Sequence, residues 1–324
     1  MPFLTSFLLG LVLTPIARWV GFAIGLVDRQ TGDELKIHRE PISLLGGVAA
    51  IVGAFAAQVL WGGWLPWAVL AAGGIALAVG LLDDVRPLPP ILRVGLISVV
   101  GAILLVGPGF ERFGVAGGAG LILLVLACAN AVNITDGQDG LAGGVAAISS
   151  LGLAAILALS GDGAGSSLGL ALAGGLIAFL LWNRPPARIF LGDGGAYAVG
   201  TLLAVLAARA VDVGGLRGLL AAGAVLGVLA FEVAFSVGRR VVAGEQLAGG
   251  DRLHSYDLLA SRWGRTPSTL AFWALAAVCA AGAVVVSSLP PAAGVFLLGA
   301  GVVFTAWWGV WLWRRRPLSK GSRY

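Results

Sequence analysis

Charge is what this chain lacks. Only 11% of its 324 residues are Asp, Glu, Lys or Arg, while 58% are hydrophobic. A soluble domain carries about 25% charged residues. So little polar surface cannot cover a globule of this size, which excludes a soluble fold and leaves a polytopic membrane protein. Cysteine is nearly absent too. Cys128 and Cys279 both sit in apolar runs, so neither a disulfide framework nor a cysteine zinc site is expected. Histidine is limited to His38 and His254, and no HxxxH or HExxH pattern occurs, which argues against a zinc hydrolase. No GxxxxGK[ST] loop is present, so a nucleoside-triphosphate motor is not indicated. The first apolar run has no short basic start and no small-residue cleavage site, and it reads as a retained span. No internal repeat or low-complexity linker divides the chain, so residues 1–324 are expected to form one membrane domain.

What is present is apolar and periodically interrupted. The mean hydropathy is +0.95, and 51 glycines favour close helix packing. A spanning helix needs roughly 20 apolar residues. Eleven candidates emerge, at approximately 3–27, 42–61, 64–82, 91–107, 116–132, 140–160, 167–182, 190–209, 217–238, 268–287 and 291–313. The expected fold is therefore all-α, with about eleven transmembrane helices. The odd-numbered loops and the C-terminal tail, with the adjacent Arg93, hold 17 of the 21 Lys and Arg residues. The positive-inside bias puts those loops and the C-terminus in the cytoplasm and the N-terminus outside. The net charge of +5 then faces anionic headgroups, and no nucleic acid is implied.

Thirteen of the sixteen Asp and Glu residues follow the same loops. Loop ends need polar residues, but that does not explain doublets of acids beside glycine. "NAVNITDGQDG" (130–140) sets Asn130, Asn133, Asp136, Gly137 and Asp139 at the mouth of two spans. Asp83 and Asp84 follow "AVGLL". They are either solvated acids flanking Arg86 or a pair needing a cation, since adjacent like charges raise each other's proton affinity. "IFLGDGGAY" (189–197) puts Asp193 at a span start. There it is either an N-cap or a Mg2+ ligand that bridges to phosphate, with free helix N–H groups open to a bulky anion. In "GGDRLHSYD" (249–257), Arg252 and His254 can donate to phosphate or sugar hydroxyls, or the segment is an interfacial loop. Lys36, His38 and Arg39 form a basic loop that is either a topology signal or a ligand contact. Together these groups fall on one side of the membrane, at the ends of different helices, where they could surround a metal-bound polyphosphate near headgroup depth.

These motifs carry a family likeness over roughly residues 25–265. The stretches "LKIHREPISLLGG", "GLLDDVRPLPPILR", "NAVNITDGQDGLAGG", "WNRPPARIFLGDGGAYAVG" and "GGDRLHSYD" resemble the motifs of the polyprenyl-phosphate N-acetylhexosamine-1-phosphate transferases. That family includes the phospho-MurNAc-pentapeptide translocases and the undecaprenyl-phosphate GlcNAc-1-phosphate transferases. Arg93 stands where a Lys is usual, and Ser255, Tyr256 and Asp257 stand where further histidines are usual.

The resemblance implies a multi-pass enzyme of the bacterial inner membrane with its site at the cytoplasmic face. It would transfer a sugar-1-phosphate from a UDP-sugar to undecaprenyl phosphate, release UMP and start a lipid-linked envelope glycan. The implied cofactor is Mg2+, with Mn2+ as the alternative. By position, Asp193 would hold the metal. Asp83 would be the base or position the acceptor, with Asp84 beside it. Asn133, Asp136, Gly137, Asp139 and Phe190 would line the uridine and diphosphate site, with Asn130 nearby. Asn183, Lys36, His38, Arg39, Arg252 and His254 would contact phosphate or sugar. The spacing of the first loop favours a small N-acetylhexosamine, GlcNAc by default, with Ser255 and Tyr256 as readers of altered substituents. Homodimerisation is left open. The rival class is a transporter or lipid flippase, whose site would lie near the membrane midplane. Here the acids sit at helix ends.

The topology is testable by labelling. Cysteines placed at 162 and at 319 should react from opposite sides of the membrane, and reaction of both from one side excludes this arrangement.

Overall fold

The computed structural model describes residues 1–29, 40–62, 66–108, 110, 114–246 and 253–314. Among these, twelve helices carry the chain: α1 (Pro2–Ile24), α2 (Gly46–Trp61), α3 (Trp67–Val85), α4 (Pro90–Leu105), α5 (Gly114–Thr135), α6 (Leu141–Leu159), α7 (Gly163–Asn183), α8 (Gly192–Val225), α9 (Gly227–Ala243), α10 (Ser255–Trp263), α11 (Arg265–Ser288) and α12 (Pro291–Arg314). Eight of them are long and apolar enough to cross a membrane, and α2 and α4 are shorter apolar helices. Proline in the first turn starts α1 and α4, where its missing N–H is not needed.

Two expectations change. The segments expected as separate spans at 190–209 and 217–238 are not two straight helices. The chain runs from Gly192 to Val225, broken at Gly215 with φ 55° and ψ −131°, and breaks again at Leu226 before α9. A positive φ cannot continue a right-handed helix, and "VGG" supplies the residue that tolerates it. The second change is a departure from an all-α fold. Residues 42 and 43, expected inside the second span, are extended. They form β2 (Ile42–Ser43), antiparallel to β1 (Val27–Asp28), and Ser43 bridges in parallel to Ile189. Phe190 N–H donates to Ser43 O at 2.8 Å, and Gly46 N–H to Phe190 O at 3.0 Å. Near the membrane each loop amide needs a partner, and these two loops supply each other's.

The N-terminal half of α8 is the hub of the bundle. Residues 194–208 are buried on every side, as expected of a helix apolar all round. It packs against α3, α5, α6 and α11, while α7 packs against α1, α2 and α6. The α7–α8 interface carries charge. At the end of the bundle away from the acidic loops, Asp162 caps α7 by accepting from Gly165 N–H at 3.0 Å. The same carboxylate takes two bonds from Arg209 of α8, both 2.7 Å. Gln58 of α2 donates to Ala164 O beside them at 3.4 Å. Because Asp162 is enclosed, the exposed Ser160 is the better position for outside labelling.

Burial raises the Asp162 pKa, but the Arg209 and Gly165 bonds outweigh it and hold the carboxyl below its ordinary value. A depressed acid stabilises the fold above its unfolded pKa and loses that contribution as pH falls through the folded value. Asp162→Asn keeps a capping oxygen but loses the ion pair, so it should destabilise by about 1–3 kcal/mol. The difference in thermal unfolding from wild type, measured in detergent, should be constant from about pH 5 to 8 and shrink only below about pH 4. An unchanged melting temperature at neutral pH excludes this role.

Candidate active site

Three helix ends and two loops build the site. Gly80 on α3 lies where any Cβ would collide with the backbone of Asp193 and Gly194, so its absence lets α3 approach α8 closely. That approach places Asp84 at the start of α8. Its Oδ1 accepts from Asp193 N–H at 3.0 Å and its Oδ2 from Gly194 N–H at 3.1 Å. Gly192, at φ 75°, turns the chain into the helix with its own N–H close enough to Asp136 to favour the ionised carboxylate. The free helix N–H groups expected to face an anion are therefore already capped by protein carboxylates. Nor is Asp193 an N-cap. It lies within the first turn of α8, and the α8 N-cap, Leu191, makes no side-chain capping bond.

The Asp193 carboxylate instead receives a short hydrogen bond from the Asn133 amide of α5. Asp83, one residue before Asp84, is buried at 5% exposure. Its Oδ1 accepts from Leu88 N–H at 2.7 Å. Its Oδ2 accepts from the Tyr197 hydroxyl at 2.7 Å and lies 3.5 Å from Arg93 Nη1. Asp136, just beyond α5, feels excess negative charge. Burial and then the charges of Asp193 and Asp84 hold its carboxyl well above the ordinary range, against the Gly192 N–H.

The loop after α5 is clamped from behind by α11. Gln138 Nε2 donates to Thr269 Oγ1 at 2.8 Å and to Arg265 O at 3.2 Å. Thr269 Oγ1 donates to Asp139 O at 3.1 Å and Trp273 Nε1 to Gly140 O at 3.0 Å. Asp139 Oδ2 accepts from Ala187 N–H at 3.0 Å, which ties this loop to the one carrying Phe190. Gly137 stands exposed between them.

Several expected ligand residues have structural partners. Asn183, at 2% exposure, takes the Gly140 N–H on its oxygen at 3.0 Å and donates to Ile189 O at 2.9 Å. It ties the two loops together. Asn130 donates to Leu126 O, one turn back in its own helix, at 2.9 Å. His254 is buried, with Nδ1 2.8 Å from Ser236 Oγ, and its ring stacks on Tyr256 at 5.2 Å. Tyr256 donates to Ile134 O at 2.9 Å, and Ser255 Oγ donates to the buried Glu232. The hydroxyls of Ser255 and Tyr256, expected to read the sugar, are thus engaged with protein. Lys36, His38, Arg39 and Arg252 lie outside the described residues. Among the described residues no group of three His, Cys, Asp or Glu side chains is placed to hold a metal ion by itself.

Sequence reasoning missed Tyr197, Gln138, Thr269 and Trp273. A signal for Tyr197 existed. It is one of only three tyrosines, four residues after Asp193 and so on the same helix face, and a buried phenol needs a partner.

Carboxylates gathered at helix ends, with an amide and one partly exposed guanidinium, define an integral-membrane enzyme rather than a mid-membrane transport path. Comparison with known proteins carries this to a family. Residues 66–211 match the model of glycosyl transferase family 4. The chain is 32% identical over 320 residues to a phospho-N-acetylmuramoyl-pentapeptide-transferase of Desulforudis audaxviator, covering 86% of this chain and 93% of the relative. It is 28% identical over 324 residues to a probable undecaprenyl-phosphate N-acetylglucosaminyl 1-phosphate transferase of Bacillus subtilis, covering 93% of this chain and 88% of the relative. The chain belongs to glycosyl transferase family 4, the polyprenyl-phosphate N-acetylhexosamine-1-phosphate transferases. It is a phosphotransferase of the bacterial inner membrane.

Asp193 and Asp84 should separate under mutation. Asp193→Asn removes a charge from a crowded cluster, so turnover should fall at least tenfold while the melting temperature in detergent holds or rises. Asp84→Ala uncaps α8 and should also cost about 1–2 kcal/mol of stability. Full turnover by Asp193→Asn at saturating Mg2+ excludes Asp193 from the chemistry.

Proposed function

We propose that the protein transfers an N-acetylhexosamine-1-phosphate from a UDP-sugar to undecaprenyl phosphate at the cytoplasmic face. An oxygen of the lipid phosphate attacks the sugar-bearing phosphorus of the donor. The pyrophosphate P–O bond breaks, UMP leaves, and an undecaprenyl-pyrophosphate sugar remains. The observation that carries this reading is the meeting of Asp83, Asp84, Asp136 and Asp193 around one helix start, with Arg93 as the partly exposed cation beside Asp83.

Both reactants are anions and need positive charge to approach each other. The donor set fits a hard cation. Mg2+ takes one or two carboxylates, binds phosphate oxygens and keeps waters, so a closed protein cage is not required. Asp193 would hold it, with Asn133 orienting the carboxylate, and Mn2+ would suit the same oxygens. Bound there, the ion would supply charge neutralisation at the transferring phosphate. Asp139 offers an acceptor to a uracil N–H and Phe190 a stacking face, while the missing side chain of Gly137 makes room for the Tyr256 hydroxyl behind the loop. Arg93, with its side chain 31% exposed, has donors left over for the lipid phosphate. That phosphate is already largely ionised near neutral pH, so Asp83 serves by position rather than as a strong base.

A panel of UDP-GlcNAc, UDP-GalNAc, UDP-MurNAc-pentapeptide and a GDP-sugar, each with undecaprenyl phosphate and Mg2+, tests the assignment. UMP release should be greatest with a UDP-N-acetylhexosamine, UDP-GlcNAc first. Turnover of the pentapeptide donor alone overturns the sugar assignment. Equal turnover of the GDP-sugar overturns the uracil site. No nucleotide release from any donor by folded protein in lipid returns the transport reading.

A further inference from the structure

The geometry points to Tyr197 as a positioning residue that aligns Asp83 and Arg93 for the acceptor phosphate. This rests on the transferase reading above and deepens it.

Tyr197 sits on α8 one turn beyond Asp193, 1% exposed, with its ring packed in the hub of the bundle. Its hydroxyl is the side-chain group by which α8 reaches Asp83 of the α3 carboxylate pair. It donates to Asp83 Oδ2 at 2.7 Å, the same carboxylate oxygen that Arg93 of α4 approaches. The Arg93 Nη1 contact is 3.5 Å, which is long for a charge-assisted bond. The phenol from α8 and the guanidinium from α4 therefore meet at one oxygen of an α3 carboxylate, and the phenol reaches it from the helix that carries Asp193.

Three consequences follow from that placement. The Leu88 N–H on Oδ1 and the Tyr197 O–H on Oδ2 together leave Asp83 one rotamer. Arg93, anchored on one side, has its remaining donors directed outward, where its side chain is 31% exposed. The rigid turn of α8 from Asp193 to Tyr197 sets the separation between the donor side of the site and the acceptor side. Without the hydroxyl, Asp83 Oδ2 keeps only the long Arg93 contact, and both side chains regain freedom. A misplacement of about 1 Å can lower a phosphoryl-transfer rate roughly 100-fold.

Tyr197→Phe removes the hydroxyl and keeps the ring, so the packing of α8 is preserved. The measurement uses purified full-length protein in detergent, undecaprenyl phosphate, and the UDP-sugar giving the highest wild-type UMP release. The kcat/KM for undecaprenyl phosphate should fall by at least about tenfold, while the KM for the UDP-sugar stays within about twofold and the melting temperature is unchanged. Parallel loss of both substrates' kcat/KM together with a lowered melting temperature means a structural role and overturns the inference. Wild-type kinetics for Tyr197→Phe with an inactive Asp83→Asn also overturns it and leaves the transferase site standing. Wild-type kinetics for Asp83→Asn itself removes Asp83 from the site and overturns both.

Discussion

The site depends on one contact: the Asp84 carboxylate on the backbone N–H groups of Asp193 and Gly194. A helix start buried in a membrane protein must have its N–H groups satisfied. Here the partner comes from another helix, so capping α8 and docking α3 are a single event. Gly80 makes the approach possible, and the Gly192 N–H favours the ionised form of the nearby Asp136. The positive end of the α8 dipole is thereby matched by protein anions. On the proposed reading, the charge of the substrate phosphates would be met instead by the cation at Asp193 and by Arg93.

The two ends of the bundle show opposite treatments of buried charge. Asp162 and Arg209 form a closed bidentate pair in which each charge has its counter-charge, and such a pair is architecture. At the other end the acids outnumber the cations near them. Carboxylates left in mutual repulsion persist only where the surrounding fold holds them, and the α11 clamp on residues 138–140 and the β2 contact with residues 189–190 are what hold these. That imbalance distinguishes a site waiting for cationic charge from a set of ordinary loop ends.

Most of the bundle was legible because apolar length alone marks a span, and Asp83, Asp84, Asp136, Asp139 and Asn133 stood out as polar residues in apolar surroundings. The roles within the cluster were less accessible. Nothing in the sequence says that Asp84 caps a helix 109 residues later, or that the Asn183 amide is consumed by Gly140 and Ile189. Those bonds depend on which helix ends meet, a tertiary fact that periodicity does not encode. The break at Gly215 was obscured for another reason: "DVGGLRG" reads equally as a loop between two spans and as a kink within one long helix.

The α11 clamp has an implication for how such enzymes diverge. Residues 66–211 contain the acids, but the side chains that brace the Asp136–Gly140 loop from behind, Thr269 and Trp273, lie downstream of that stretch. A change in α11 can therefore shift or loosen the Asp136–Gly140 loop without altering the carboxylates themselves. If that loop meets the donor as proposed, selection can adjust donor preference through this outer brace in small steps, each leaving the carboxylates in place. For the engineer, α11 is the dial to turn before the carboxylates are touched.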